Sequence, residues 1–117
     1  MPDTAALKRA AELAAEMYQN FDHGHVAARA SYEELLARFQ IDLPDGPTDP
    51  TQVVDELARD MHDGLVLAGS PRFFGWVIGG SSPGAIGADW LLSALDQNPA
   101  IYQCSPSANV IEEVAGE

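Results

Sequence analysis

The chain has 117 residues, of which 18 are acidic and only six are lysine or arginine, so its formal net charge is −12 at neutral pH. Such a balance argues against nucleic acid or anionic membranes as partners, because both require a basic face. No run of about 18 apolar residues predicts a membrane span, and the N-terminus lacks the basic start and apolar stretch of a secretion signal. The sequence therefore predicts a cytoplasmic protein without a membrane partner.

The N-terminal stretch, residues 4–21, is predicted to form an amphipathic helix. Its apolar side chains recur at helical spacing and form one broad face. The members of this face are Leu7, Ala10, Ala11, Ala14, Met17, Tyr18 and Phe21.

Two further helices are predicted before residue 65. Ser31 and Glu34 have the spacing of a capping box, which predicts the start of a short helix. A loop rich in proline and aspartate follows, and Pro50 is a natural first residue for the next helix, which is predicted to end at Gly64. The side of the first of these helices that is expected to be buried consists of Leu35, Leu36 and Phe39. One face of the second helix is lined by Val53, Val54, Leu57 and Met61.

The character of the chain changes after Gly64. The aromatic segment, residues 73–80 with the sequence FFGWVIGG, is too short and too rich in glycine for a helix. It is predicted to be an extended, strand-like piece or a buried loop. Gly79 and Gly80 leave the backbone open to close approach.

Two helices that start with proline are predicted next. One begins at Pro83 after a pair of serines and ends in the run 96–99, because the residue before a proline is disfavoured in a helix. The other begins at Pro106 with Ser105 as its N-cap. Because this last helix has no clear stop signal, the sequence is interpreted as the N-terminal portion of a longer protein.

Residues 71–99, PRFFGWVIGGSSPGAIGADWLLSALDQNP, resemble the N-terminal region of the pyridoxal-phosphate (PLP) dependent group II amino-acid decarboxylases. This family decarboxylates aromatic amino acids, glutamate, histidine and tyrosine. The glycine pair and the ADWL and DQN runs are similar to its bacterial branch. The resemblance implies a mainly α-helical N-terminal segment of an α/β enzyme of PLP fold type I, related to aspartate aminotransferase, cut before the lysine that binds the cofactor.

The resemblance also implies that the two parts of the chain have different roles. Residues 1–64 would form a helical arm that wraps around the other subunit of a homodimer. Residues 65–117 would supply part of the substrate pocket and the start of the helix that leads into the large PLP domain. The parent would be a carboxy-lyase, and this chain would not be catalytic alone.

The same resemblance implies which residues meet the amino-acid substrate. They are Phe74, Trp76, Val77, Gly79, Gly80, Asn98 and Ala100. Trp76 is the first choice, since its position matches a tyrosine in animal aromatic decarboxylases and a glutamine that holds the substrate in glutamate decarboxylases. The chain departs from the animal enzymes at Ile78 and Gly79, and again at Asn98 and Ala100, so the identity of the substrate stays open.

No catalytic, cofactor-binding or metal-binding residue is predicted within the chain. PLP enzymes hold their cofactor through a lysine, with an acid on the ring nitrogen, and the single lysine, Lys8, lies in a polar helical run. His23 and His25 lack a third metal ligand at a suitable spacing. The single cysteine, Cys104, allows no internal disulfide and is expected to be buried, and Arg72 is expected to form a surface ion pair.

Two alternatives follow from the residues without the resemblance. In the first alternative, the aromatic side chains are ordinary core residues and Asn98 forms a turn. The aromatic residues concerned are Phe73, Phe74 and Trp76. In the second, the chain is a small acidic helical module that binds a partner helix or peptide through exposed aromatics and has no enzymatic activity. The module explains the short length, but it does not explain why glycines and aromatics cluster in residues 71–80.

Overall fold

A computed structural model describes residues 3–117, and across that range the chain consists of helices and loops without a strand. The helices are α1 (Ala5–Gln19), α2 (Tyr32–Phe39), α3 (Pro50–Met61), α4 (Pro83–Leu95) and α5 (Pro106–Ala115), with a single 3₁₀ turn, His62–Gly64, directly after α3. The prediction of a mainly α-helical segment is confirmed. Each helix also begins within one residue of its predicted start.

The chain divides into two compact units, one ending at Gly80 and the other comprising Ser81–Glu117. The first contains α1, α2, α3 and the aromatic segment, and the second contains α4 and α5. The structure groups residues 65–80 with the helices that precede them. The functional division predicted between residues 64 and 65 stays a prediction.

In the first unit, α1 and α2 both pack against α3, and arginines fix these contacts. Arg9 of α1 donates from Nε to Oδ1 of Asp55 on α3 at 2.6 Å. Arg38 of α2 holds the carboxylate of Asp63 with both terminal nitrogens, and its Nη1 also donates to the carbonyl of Asp60 at 3.1 Å. These charged hydrogen bonds link α1 and α2 to α3 and to the turn that follows it.

The predicted capping box is confirmed at the start of α2. The Ser31 N–H donates to Oε2 of Glu34 at 2.7 Å, and the Glu34 N–H donates to Oγ of Ser31 at 3.2 Å. Replacing Ser31 with alanine should lower the free energy of unfolding by about 1 kcal/mol, because an orphan N–H loses its acceptor. Urea titration followed by circular dichroism measures this. Thr4→Ala is the matched control, because Thr4 is an N-cap without a side-chain cap bond, and an equal loss there would contradict the prediction.

The later helix starts also follow local cap chemistry. Oδ1 of Asp49 accepts from the Gln52 N–H at 2.9 Å at the start of α3, and Oγ of Ser82 caps α4. Ser105 is the N-cap of α5 but makes no side-chain cap bond. The α4 helix ends in the predicted run, but the cause is Asp96, which adopts a left-handed conformation with φ 46°.

The expected burial of the α2 face is wrong, because no apolar side chain in residues 3–117 is fully buried. Leu36, Phe39 and Cys104 were expected inside but are exposed. The apolar face of α3 also leaves Val53 and Leu57 exposed. Helical periodicity shows which face of a helix is apolar, but it does not show what covers that face.

Acidification should weaken the α2 contact. Hydrogen bonds from Arg38 hold the pKa of Asp63 below its ordinary value, so the carboxylate stabilises the folded state above the unfolded pKa of about 3.9 and loses this effect as the pH falls through its lower folded value. We therefore expect the helical signal in circular dichroism to fall below about pH 4. Asp63→Asn should flatten this acid limb, whereas Asn at the exposed loop position Asp45 should leave it unchanged.

Candidate functional site

The aromatic segment starts from a well-ordered base centred on Ser70, which is 4% exposed. The Ser70 N–H donates to the carbonyl of Leu67, and its own carbonyl accepts from the Phe73 N–H, both at 3.0 Å. Its hydroxyl accepts from the Arg72 N–H at 3.3 Å. These bonds fix the direction in which the chain enters the segment.

Beyond this base the apolar side chains project into solvent. Phe74, Trp76 and Val77 are 94%, 80% and 105% exposed. The ring of Phe73 is half-buried, and it pairs with Trp76 in a tilted arrangement with centroids 6.2 Å apart. The prediction of a strand or a buried loop is therefore wrong, because no helix of the first unit covers the segment and no strand is present in the described chain to pair with it.

The tip of the segment carries backbone strain. Trp76 and Val77 have φ angles of 53° and 49°, in the left-handed region that a β-branched residue rarely occupies. Strain of this kind costs about 1–3 kcal/mol per residue and clusters at binding sites. Gly79 and Gly80 have open space where a Cβ would lie, so the backbone there is accessible to close approach.

The remaining candidates lie in the second unit, in the turn between α4 and α5. Oδ1 of Asn98 accepts from the N–H of Ala100 at 3.0 Å, which is the turn-forming role that the alternative interpretation gave to Asn98. Asn109 of α5 donates from Nδ2 to the carbonyl of Pro99 at 2.7 Å. This hydrogen bond links the turn that carries Asn98 and Ala100 to α5. Both residues are exposed.

The residues present do not form a PLP site. Lys8 is exposed on α1, and no hydrogen bond or ion pair joins its side chain to an acid within the described residues. A PLP site needs a lysine near the ring and an acid on the ring nitrogen. Residues 3–117 also contain no group of three side chains that could hold a metal ion, and none of the helices in that range is long and apolar enough to cross a bilayer.

Comparison with known proteins adds no relative to this picture. No protein-family model, curated protein or solved structure matches the chain. Its function is therefore argued from its residues and their geometry, with the resemblance of residues 71–99 as a hypothesis.

Sequence reasoning missed one residue that builds the site and gave another the wrong partner. Ser70 holds the base of the aromatic segment, and the only sequence signal for it is the turn-forming run of Gly69, Ser70 and Pro71. Arg72 does not form the expected ion pair with any of residues 3–117. Its Nη2 instead donates to the carbonyl of Gly24, a contact over 48 positions that no local pattern reveals.

Proposed function

We propose that the chain is the N-terminal part of a PLP-dependent amino-acid decarboxylase. In this role it contributes a wall of the substrate pocket and part of a homodimer interface, and it is not catalytic alone. The observation that best supports the proposal is the aromatic segment, where Phe74, Trp76 and Val77 project from a hydrogen-bonded base into solvent. Apolar side chains held out in this way are available to a substrate or to a second subunit.

The proposed enzyme works in the cytoplasm on an amino acid. PLP supplies the electron sink for the departing carboxylate, and the lysine and acid that hold it lie outside this chain. The chain's own part is to orient the substrate and to exclude water. Trp76 contacts the substrate side chain, and Gly79 and Gly80 give the substrate room to approach the backbone.

The arms of the proposed homodimer are α1 and α2. Leu7 on α1, and Leu36 and Phe39 on α2, are 63%, 43% and 46% exposed, although they belong to apolar helix faces. A second subunit packed on these faces would remove them from water. Burial of apolar surface contributes roughly 25 cal/mol per Å², which gives the two arms a reason to associate.

A second candidate function is a non-enzymatic acidic module that binds a helix or peptide. The observation that favours it is the exposed apolar surface of α4 and α5, where Leu91, Leu95 and Ile111 are 65%, 62% and 67% exposed. An amphipathic partner helix could use such a surface. The two functions differ in whether PLP binds.

The deciding experiment is to read the coding frame past Glu117 and to purify its complete product. The decarboxylase proposal expects a frame that continues and encodes the missing lysine, PLP absorbance in the pure protein, and release of CO₂ from one member of an amino-acid panel. A stop codon after Glu117 together with a protein that binds no PLP would reject it. The interaction module would then be the better explanation.

A further inference from the structure

Hydrogen bonds join two stretches of the first unit that are distant in sequence and lie beside the aromatic segment. The Leu67 N–H donates to the carbonyl of Val26 at 2.9 Å. The guanidinium of Arg72 donates to the carbonyl of Gly24, 48 positions away. The stretch that follows α1 therefore touches the stretch that leads into residues 73–80.

Glycines permit this close approach. A Cβ on Gly24 would lie 2.6 Å from Cδ1 of Leu67, and a Cβ on Gly69 would lie 2.8 Å from the ring of Phe21. At either position a side chain would have to displace the side chain of Leu67 or Phe21. Because the Gly24 N–H also donates to the carbonyl of Asn20 at 2.9 Å, the turn continues directly from the end of α1.

Arg72 stands at the junction between this contact and the aromatic segment. Its backbone N–H is bound to Ser70, its side chain is bound to Gly24, and the next residue, Phe73, pairs with Trp76. The guanidinium is planar, always charged and a multiple donor, so it holds a carbonyl in a defined direction. A displacement of Gly24 is therefore carried through Arg72 to the aromatic rings.

We propose that Arg72 is a positioning residue that couples the C-terminal end of α1 to the aromatic segment. A change at α1 is thereby transmitted to Trp76. One part of this inference rests on the proposed function, namely that a second subunit on α1 sets the position of the substrate wall, so that assembly regulates the pocket. The coupling between the two stretches is a property of the first unit by itself.

Amide hydrogen exchange of the full-length protein tests the coupling. Arg72→Gln should speed exchange of the backbone amides of Leu67, Phe73 and Gly24. The expected increase is about two- to fivefold, which is the range for the loss of an exposed charged contact. Arg72→Lys should restore part of the protection, because an ammonium still donates to the carbonyl. Arg59→Gln is the matched control, since in the described part of the chain the Arg59 side chain forms hydrogen bonds only with its neighbour Asp60.

A second variant and a fluorescence signal complete the test. Gly24→Ala, which places a methyl group against Leu67, should displace the same segment and shift the emission of Trp76. This emission is measured as the part of the tryptophan signal that is lost in Trp76→Phe. Dilution of the protein until its subunits dissociate should also shift this emission. Arg72→Gln should abolish the shift that dilution causes. Faster exchange only at Leu67 and Phe73 overturns the coupling, and a protein that stays monomeric overturns its link to assembly. Absence of PLP or of decarboxylation overturns only the proposed function, because the exchange result does not depend on either.

Discussion

Replacing Trp76 with phenylalanine should lower kcat/KM of the proposed full-length decarboxylase by about tenfold for its best substrate. The proposed contact is apolar, and removing part of an apolar contact from a pocket costs about 1–3 kcal/mol in discrimination. Trp76 is 80% exposed, so no packed core around it is lost. The measurement is kcat/KM over a panel of aromatic, acidic and imidazole-bearing amino acids, in which the order of preference should also change.

The second tryptophan of the chain provides the control for this experiment. Trp90 lies on α4, outside the aromatic segment, and is 44% exposed. Trp90→Phe is chemically the same substitution and should leave the order of substrate preference unchanged. If both variants lose activity equally, or if Trp76→Phe alters stability rather than preference, Trp76 does not contact the substrate.

The sequence predicted the helices well because their starts depend on local chemistry. Ser31 and Glu34 bond each other across three residues, and Asp49 bonds the third residue that follows it. A proline in the first turn adds a fixed φ angle at the start of α3 and α4. All of these interactions lie within four positions, so the order of residues is enough to predict them.

The environment of the candidate site could not be predicted in the same way. The exposure of Phe74 depends on which elements lie over it, and the bond from Arg72 to Gly24 spans 48 positions. The left-handed φ angles of Trp76 and Val77 oppose the intrinsic preference of both residues. The choice of substrate residues came from the resemblance, and it remains a prediction.

Self-association is the expected behaviour of the isolated 117-residue chain, because its surface is too large for a folded monomer. The solvent-accessible surface is 9488 Å², whereas even two separate compact units of these sizes would together expose about 7,300 Å². The excess of about 2,200 Å² is comparable with one partner's side of a large obligate interface. Many large apolar side chains are part of the exposed surface, and exposed apolar surface favours association over a dispersed monomer.

Calorimetry and sedimentation over a range of concentrations measure this directly. The chain as a monomer should unfold without the heat of roughly 60–80 kcal/mol that a packed domain of 100 residues absorbs, and association should rise with concentration. A sharp melt at high temperature that is independent of concentration would contradict the prediction.

A matched pair of substitutions separates apolar contact from charge as the cause of association. Leu95 is 62% exposed on α4, and Leu95→Lys should weaken association because it removes apolar surface. Lysine is chosen because it makes the net charge of −12 less negative. Repulsion between like-charged chains is then reduced, so it cannot explain a loss of association. Gln103→Lys makes the same change of charge at an exposed polar position and should leave association intact or strengthen it slightly. If Gln103→Lys weakens association as much as Leu95→Lys does, the loss of apolar surface at Leu95 is not the cause, and the prediction is contradicted.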